Sequence, residues 1–167
     1  MAGTLTPSQN YDHVISVVSG SDGMHDLQYK AAPGTSQTFV KGSILYVDPT
    51  TGTLKAGGGV TYMPMWAITG VDDFDANSDV GNMSGGVVSA YVATGGYEIF
   101  TTEFDTASYS PNDLLTYSGT AGKIKKAAAA YNTETIVGCV SKGTDTDIYG
   151  QSILYFWPMF IPVVKTS

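Results

Sequence analysis

Arginine is absent from this 167-residue chain, cysteine occurs once and histidine twice. Each scarcity closes off some chemistry. Without a guanidinium there is no bidentate fork for phosphate or guanine, and a formal net charge of −7 repels polyanions on average, so nucleic acid is not an expected partner. Lys123, Lys125 and Lys126 form a small basic group that reads as a solvated turn flank. Cys139 stands alone in ETIVGCVS; it allows no intrachain disulfide and reads as a buried small side chain. His13 and His25 have no HExxH or Cys/His cluster beside them, which argues against zinc. Long apolar runs are also missing. The nearest, ILYFWPMFIPVV from Ile153 to Val164, is short and broken by Pro158 and Pro162, so it reads as a final strand or arm covering a core or a neighbouring subunit, not a bilayer span. MAGTLTPSQNYDHV lacks the basic and apolar regions of a secretory signal. No membrane partner is expected.

Catalytic signatures are equally scarce. There is no G-x-S-x-G, Walker loop or dinucleotide fingerprint. Glu98 could pair with Glu103 or Asp105, but acid–base work needs a cleft and separated pKa values, and these acids sit among Thr, Ser and Gly, where solvation is their ordinary use. The expectation is a protein that is not an enzyme and carries no cofactor. Asp73, Asp75, Asn77 and Asp79 run D-x-D-x-N-x-D, the oxygen spacing that opens a calcium loop. Ser78 replaces the turning Gly and Ser84 the closing Glu, so the segment reads as a solvated connector and no metal is expected.

What the chain does contain is a strand–turn–strand pattern written twice. GSILYVDPTTGTLKAGGG (Gly42 to Gly59) and NDLLTYSGTAGKIKKAAA (Asn112 to Ala129) align at an offset of 70, with Leu45 on Leu115, Thr50 on Thr120, Gly52 on Gly122, Leu54 on Ile124 and Lys55 on Lys125. Pro49 supplies a fixed φ and each Gly a cheap left-handed bend, the signal of a tight hairpin. Upstream, VISVVSGSDGMHDLQYKA is echoed by VVSAYVATGGYEIFTTEF, and Phe39 by Tyr109. KIKKAAAAYNTE has helical propensity, but its counterpart LKAGGGVTY does not, so the duplication favours extended structure there. The organisation expected is an N-terminal arm at 1–12, a first β half at 13–71, a polar Gly-rich connector at 72–86, and a second β half at 87–167 ending in the apolar segment.

MPMWAI and WPMFIP share a rhythm of large apolar residues around a proline. Such residues either fill the core of small sheets or supply the desolvated centre of a subunit contact. Tyr11, Met63, Met65, Trp66, Tyr155, Phe156, Trp157, Met159 and Phe160 are the candidate interface residues.

The style KGSILYVDPTTGTLKAGG…WAITGV, repeated as NDLLTYSGTAGKIKKAAAAYNTETIVGCVS, resembles the capsid decoration (cement, head-stabilising) proteins of tailed bacteriophages. The resemblance covers roughly residues 40 to 71 and 97 to 142. It implies a mainly β fold with little helix, built as small β-barrel or β-tulip-like units from two related halves. It also implies a homo-oligomer, with a trimer favoured, made in the host cytoplasm and standing on the outer surface of an expanded head in the virion, with the major capsid protein as partner and Ala2 to Tyr11 as a contact arm. A second half of comparable length departs from that pattern. The competing expectations are a carbohydrate or host-surface binding module of a virion, for which exposed Tyr and Trp beside Asp and Asn would bind sugars, and a glycan-cleaving enzyme.

Overall fold

The computed structural model describes residues 15–19, 28–31, 34, 37, 39–58, 61–68, 88–93, 96–128 and 133–163. The expected arm at 1–12 with Tyr11, the connector with Asp73, Asp75, Asn77 and Asp79, and residues 129–132 of the Lys/Ala run lie outside the described residues.

Eleven strands are found among the described residues: β1 (Ile15–Ser19), β2 (Gln28–Ala31), β3 (Ile44–Val47), β4 (Leu54–Ala56), β5 (Met65–Ala67), β6 (Val88–Val92), β7 (Glu98–Thr101), β8 (Leu114–Tyr117), β9 (Ile124–Lys126), β10 (Ile136–Thr146) and β11 (Ser152–Ile161). Within the ambiguous run KIKKAAAAYNTE, Ile124–Lys126 is a strand. The repeated turns explain the two short hairpins. In the first, Gly52 takes φ 68°. Its N–H donates to the Asp48 carbonyl at 2.8 Å, and the Asp48 N–H donates to the Thr53 carbonyl at 2.8 Å. In the second, Gly122 takes φ 85°, and the Ser118 N–H donates to the Lys123 carbonyl at 3.0 Å. Beyond these bends Leu45, Tyr46 and Val47 pair with Ala56, Lys55 and Leu54, while Leu115, Thr116 and Tyr117 pair with Lys126, Lys125 and Ile124. The second register is the first shifted by 70 positions.

The strands form two antiparallel sheets, one ordered β1-β7-β11-β10-β8-β9 and the other β2-β6-β5-β3-β4. Two strands cross between the chain halves: β1 pairs with β7, and β6 pairs with β2. β11 lies between β7 and β10, the place that β6 occupies between β2 and β5 in the other sheet.

Strand alternation sends neighbouring residues to opposite faces, and this divides the core in two. Ile44 and Trp66 leave the five-stranded sheet on the side where they meet Ile99, Leu115, Ile124, Val137, Leu154 and Phe156 of the six-stranded sheet. Trp66 and Phe156 touch at a centroid distance of 5.4 Å. On the opposite face Leu45, Met65 and Ala67 cluster with Phe39, Leu54 and Ala90. Polar links clamp the sheets: the Ile44 N–H donates to the Gly122 carbonyl at 2.8 Å, and the Thr101 hydroxyl donates to the Gly42 carbonyl at 3.0 Å.

The mainly β expectation matches this architecture, but the β-barrel or β-tulip expectation is corrected: both sheets are open, because a barrel must pair its first strand with its last and neither sheet does so. One edge of each sheet is occupied by irregular chain. Along β9, the Ile124 N–H donates to the Glu103 carbonyl at 3.1 Å, and the Ile124 carbonyl accepts from Asp105 N–H at 2.9 Å. Along β4, the Leu54 carbonyl accepts from Gly34 N–H at 2.8 Å, and the Ala56 N–H donates to Gln37 Oε1 at 2.9 Å. Irregular chain thus blunts the β9 and β4 edges.

One titrating pair locks the first hairpin. Lys55 forms a close ion pair with Asp48, whose Oδ1 also accepts from the Thr50 N–H at 2.9 Å. The Lys55 ammonium first, and the Thr50 N–H second, lower the Asp48 pKa from the ordinary 3.8 to about 2. A folded-state pKa below the unfolded one gives stability that is complete above pH 3.8 and is lost as pH falls through about 2. Urea midpoints measured between pH 5 and 2 should fall more steeply for the native chain than for Asp48→Asn; parallel curves would refute the assignment.

Candidate protein interface

β11 divides its apolar side chains between two faces. Leu154, Phe156 and Pro158 point inward and are buried, while Tyr155 is half-buried and Trp157 is 42% exposed on the other face. Strand register gathers more side chains around them. Phe100 pairs with Tyr155, their rings 5.5 Å apart. Cys139 pairs with Trp157 and, on its other side, with Leu114. The outer face therefore presents Phe100, Tyr155, Trp157, Cys139 and Leu114 on three adjoining strands and a fourth, β8.

A polar border follows from an irregularity in β10. The register slips between Val140 and Gly143, and Gly143 takes φ 96°. A bulge of this kind breaks the alternation and re-aims side chains. Ser141 Oγ is hydrogen-bonded to Glu98 Oε1, while Lys142 Nζ lies 3.9 Å from Glu98 Oε2 and 4.5 Å from the Tyr155 ring centroid. Glu98 is buried on this account with both oxygens engaged. At the far side Lys126 Nζ meets Asp113 Oδ2 at 2.7 Å. The Lys126 ammonium first, and the Ser110 N–H second, hold the Asp113 carboxyl below its usual range. Cys139 is half-buried on this outer face, a correction to its expected place in the core; burial first, then the Asp113 charge, pushes its thiol pKa up.

The remaining candidates divide by depth. Trp66 and Phe156 are wholly buried between the sheets and cannot meet a partner while these stay packed, whereas Met65, also buried, belongs to the cluster on the other face of the five-stranded sheet. Met63 is 49% exposed, and Met159 and Phe160 are half-buried. Of the acids weighed as catalytic pairs, Glu103 Oε1 accepts from the Thr102 hydroxyl at 3.1 Å, and Asp105 Oδ2 from the Ser118 hydroxyl at 2.7 Å. Among the described residues no group of three or more His, Cys, Asp or Glu could hold a metal. Sequence reading missed Phe100 and Leu114. Their partners come from other strands, and only the alternation within EIFT and LLTY hinted at an outward face.

No protein-family description matches the chain, and no curated protein is similar enough to count as a relative. The likeness to head decoration proteins therefore rests on the hairpin pattern alone, and the open sheets remove the barrel that it implied.

Proposed function

We propose that the chain is a virion structural protein that attaches by the outer face of its six-stranded sheet to the outer surface of an expanded phage head, where its partner is the major capsid protein. The observation that carries this reading is Trp157, exposed at the middle of an apolar row and bordered by the Glu98–Lys142 and Asp113–Lys126 pairs. An aromatic centre within a charged rim is the anatomy of a protein interface. The mechanism is mechanical. A ligand that binds one lattice state adds its binding free energy to that state only, so attachment to the expanded form resists rupture. Repetition over a symmetric shell multiplies modest contacts.

Co-sedimentation with expanded and unexpanded heads, assembled from the capsid protein encoded nearest to this chain's gene, tests the reading. The protein should pellet with the expanded form. Trp157→Ala should weaken binding by roughly 30-fold, the loss of a central aromatic worth about 2 kcal/mol, without altering the unfolding midpoint. Equal binding to both forms, or none, would overturn the proposal. The exposed Trp157 ring also favours a second reading, a glycan-binding face, because sugars stack on such rings. Retention on immobilised host-surface glycans, lost in the same variant, would select it.

A further inference from the structure

The hairpin joining β10 to β11 runs on past the core. β11 is paired to β7 only at Leu154–Phe156, whereas β10 and β11 stay paired with each other out to Thr146 and Ser152. Thr144 stands opposite Leu154, and Ser152 lies two residues before it, so both share the face that Leu154 turns to the core, the one opposite Trp157. Beyond Leu154 that face carries hydroxyls in place of apolar side chains. The chain at 103–105 lies near it and is fixed along β9, since the Ile124 N–H donates to the Glu103 carbonyl and the Asp105 N–H to the Ile124 carbonyl. Between these bonds Phe104 sets its ring edge-on to Tyr109 at 5.6 Å. Thr102, Phe104, Thr106, Lys123, Thr144 and Ser152 thereby line a hollow of about 300 Å³, the lower end of the range for small-molecule sites.

The lining selects its ligand by charge. Lys123 is the one charged side chain in it, and no carboxylate lines it. Lys125 and Lys126 meet Glu134 at 3.9 Å and Asp113 at 2.7 Å, whereas no ion pair of Lys123 is found among the described residues. The nearby acids are engaged with other groups, Glu103 with the Thr102 hydroxyl and Asp105 with that of Ser118. The site therefore favours one negative charge. The available donors also narrow the kind of anion. Phosphate and sulfate sites are built from unsatisfied backbone N–H groups or from guanidinium. Here the N–H groups of Phe104, Asp105 and Lys123 donate to the carbonyls of Thr102, Ile124 and Thr120 at 3.1, 2.9 and 3.1 Å, and the chain has no arginine. One ammonium, several hydroxyls that both donate and accept, and one aromatic ring suit a molecule with a single carboxylate, many hydroxyls and an apolar face.

We propose that this hollow binds a sugar acid, a monosaccharide unit bearing one carboxylate. Lys123 takes the carboxylate, the hydroxyls of Thr102, Thr106, Thr144 and Ser152 meet those of the sugar, and Phe104 packs against its apolar face. A ligand of about a dozen non-hydrogen atoms in so open a hollow binds with a dissociation constant of about 1 mM. The inference is independent of what the Trp157 face binds, because the two sites lie on opposite faces of the six-stranded sheet.

Amide NMR spectra of the full chain, recorded during titration with glucuronate at constant ionic strength, read weak binding directly. Saturable shifts should appear at Phe104, Lys123 and Thr144, and glucose, which lacks the charge, should bind more weakly. Lys123→Met should weaken glucuronate binding roughly tenfold, the loss of one charged hydrogen-bonding partner. Lys125→Met removes the same charge two residues away and should leave binding unchanged. Thr144→Val, at an exposed position, should weaken it with every charge in place. Unfolding midpoints would verify that each variant is folded. No saturable shift, inorganic phosphate binding as tightly as glucuronate, or equal losses in the Lys123 and Lys125 variants would overturn the proposal.

Discussion

Phe156→Ala should cost roughly 3–5 kcal/mol of stability, the range for removing a fully buried aromatic side chain. The position earns that figure for reasons that accumulate along β11. Phe156 is paired with Ile99 on one side and Val140 on the other, so its ring projects from the middle of the six-stranded sheet. There it meets Trp66 of the five-stranded sheet at 5.4 Å with planes inclined at 53°, a tilted geometry that adds to the burial of area. Gly138 sits directly beneath: a Cβ there would lie 2.8 Å from Phe156 Cδ2, so the absence of a side chain on β10 makes the space for the ring. The surroundings are therefore fitted to this ring and cannot collapse far when it is removed. Urea unfolding followed by tryptophan fluorescence suits the measurement, since Trp66 is buried and Trp157 exposed. A loss under about 1 kcal/mol would mean that the sheets are not held together at this point.

Why some of this was legible and some was not follows from the range of the signals. The short hairpins are local: Asp48, Pro49 and Gly52 dictate one bend, and the matching Gly122 dictates the other, so the sequence marks both turns and the residues facing each other beyond them. The exchange of β1 and β6 between the sheets has no such marker, because it pairs Val17 with Ile99 and Tyr29 with Ala90 across long stretches of chain. Face assignment failed for a different reason. In β11 both alternating sets are apolar, Leu154, Phe156 and Pro158 against Tyr155, Trp157 and Met159, so period two carries no contrast and the sequence cannot say that Phe156 is core and Trp157 surface. The shared rhythm of MPMWAI and WPMFIP misled in the same way, since Trp66 is buried whereas Phe160 is only half covered. Pro158 argues against a central strand, yet it is tolerated because it lies past Phe156, the last residue paired to β7, and faces Gly138. The barrel was the error of analogy: hairpin wording says nothing about whether distant edges meet.

Gly122→Ala should destabilise the protein by about 2–5 kcal/mol, and Gly52→Ala by only about 1–2 kcal/mol, although the two glycines serve the same bend. Both take positive φ, 68° at Gly52 and 85° at Gly122, so alanine meets the left-handed penalty at either place. Only the second bend is also wedged. A Cβ at Gly52 would find nothing within 4 Å, whereas one at Gly122 would lie 2.9 Å from Ser43 Oγ and 3.2 Å from Ser43 Cβ. Ser43 cannot easily yield, because it is buried and its Oγ accepts from the Val40 N–H at 3.1 Å. The same approach brings the Gly122 carbonyl to the Ile44 N–H, so a displaced turn would also lose a hydrogen bond between the sheets. The repeated hairpin thus has two uses: the first copy ends in solvent, and the second docks its turn against the start of β3. Equilibrium unfolding of the two variants side by side measures the difference, and equal losses would show that the second turn does not bear on Ser43.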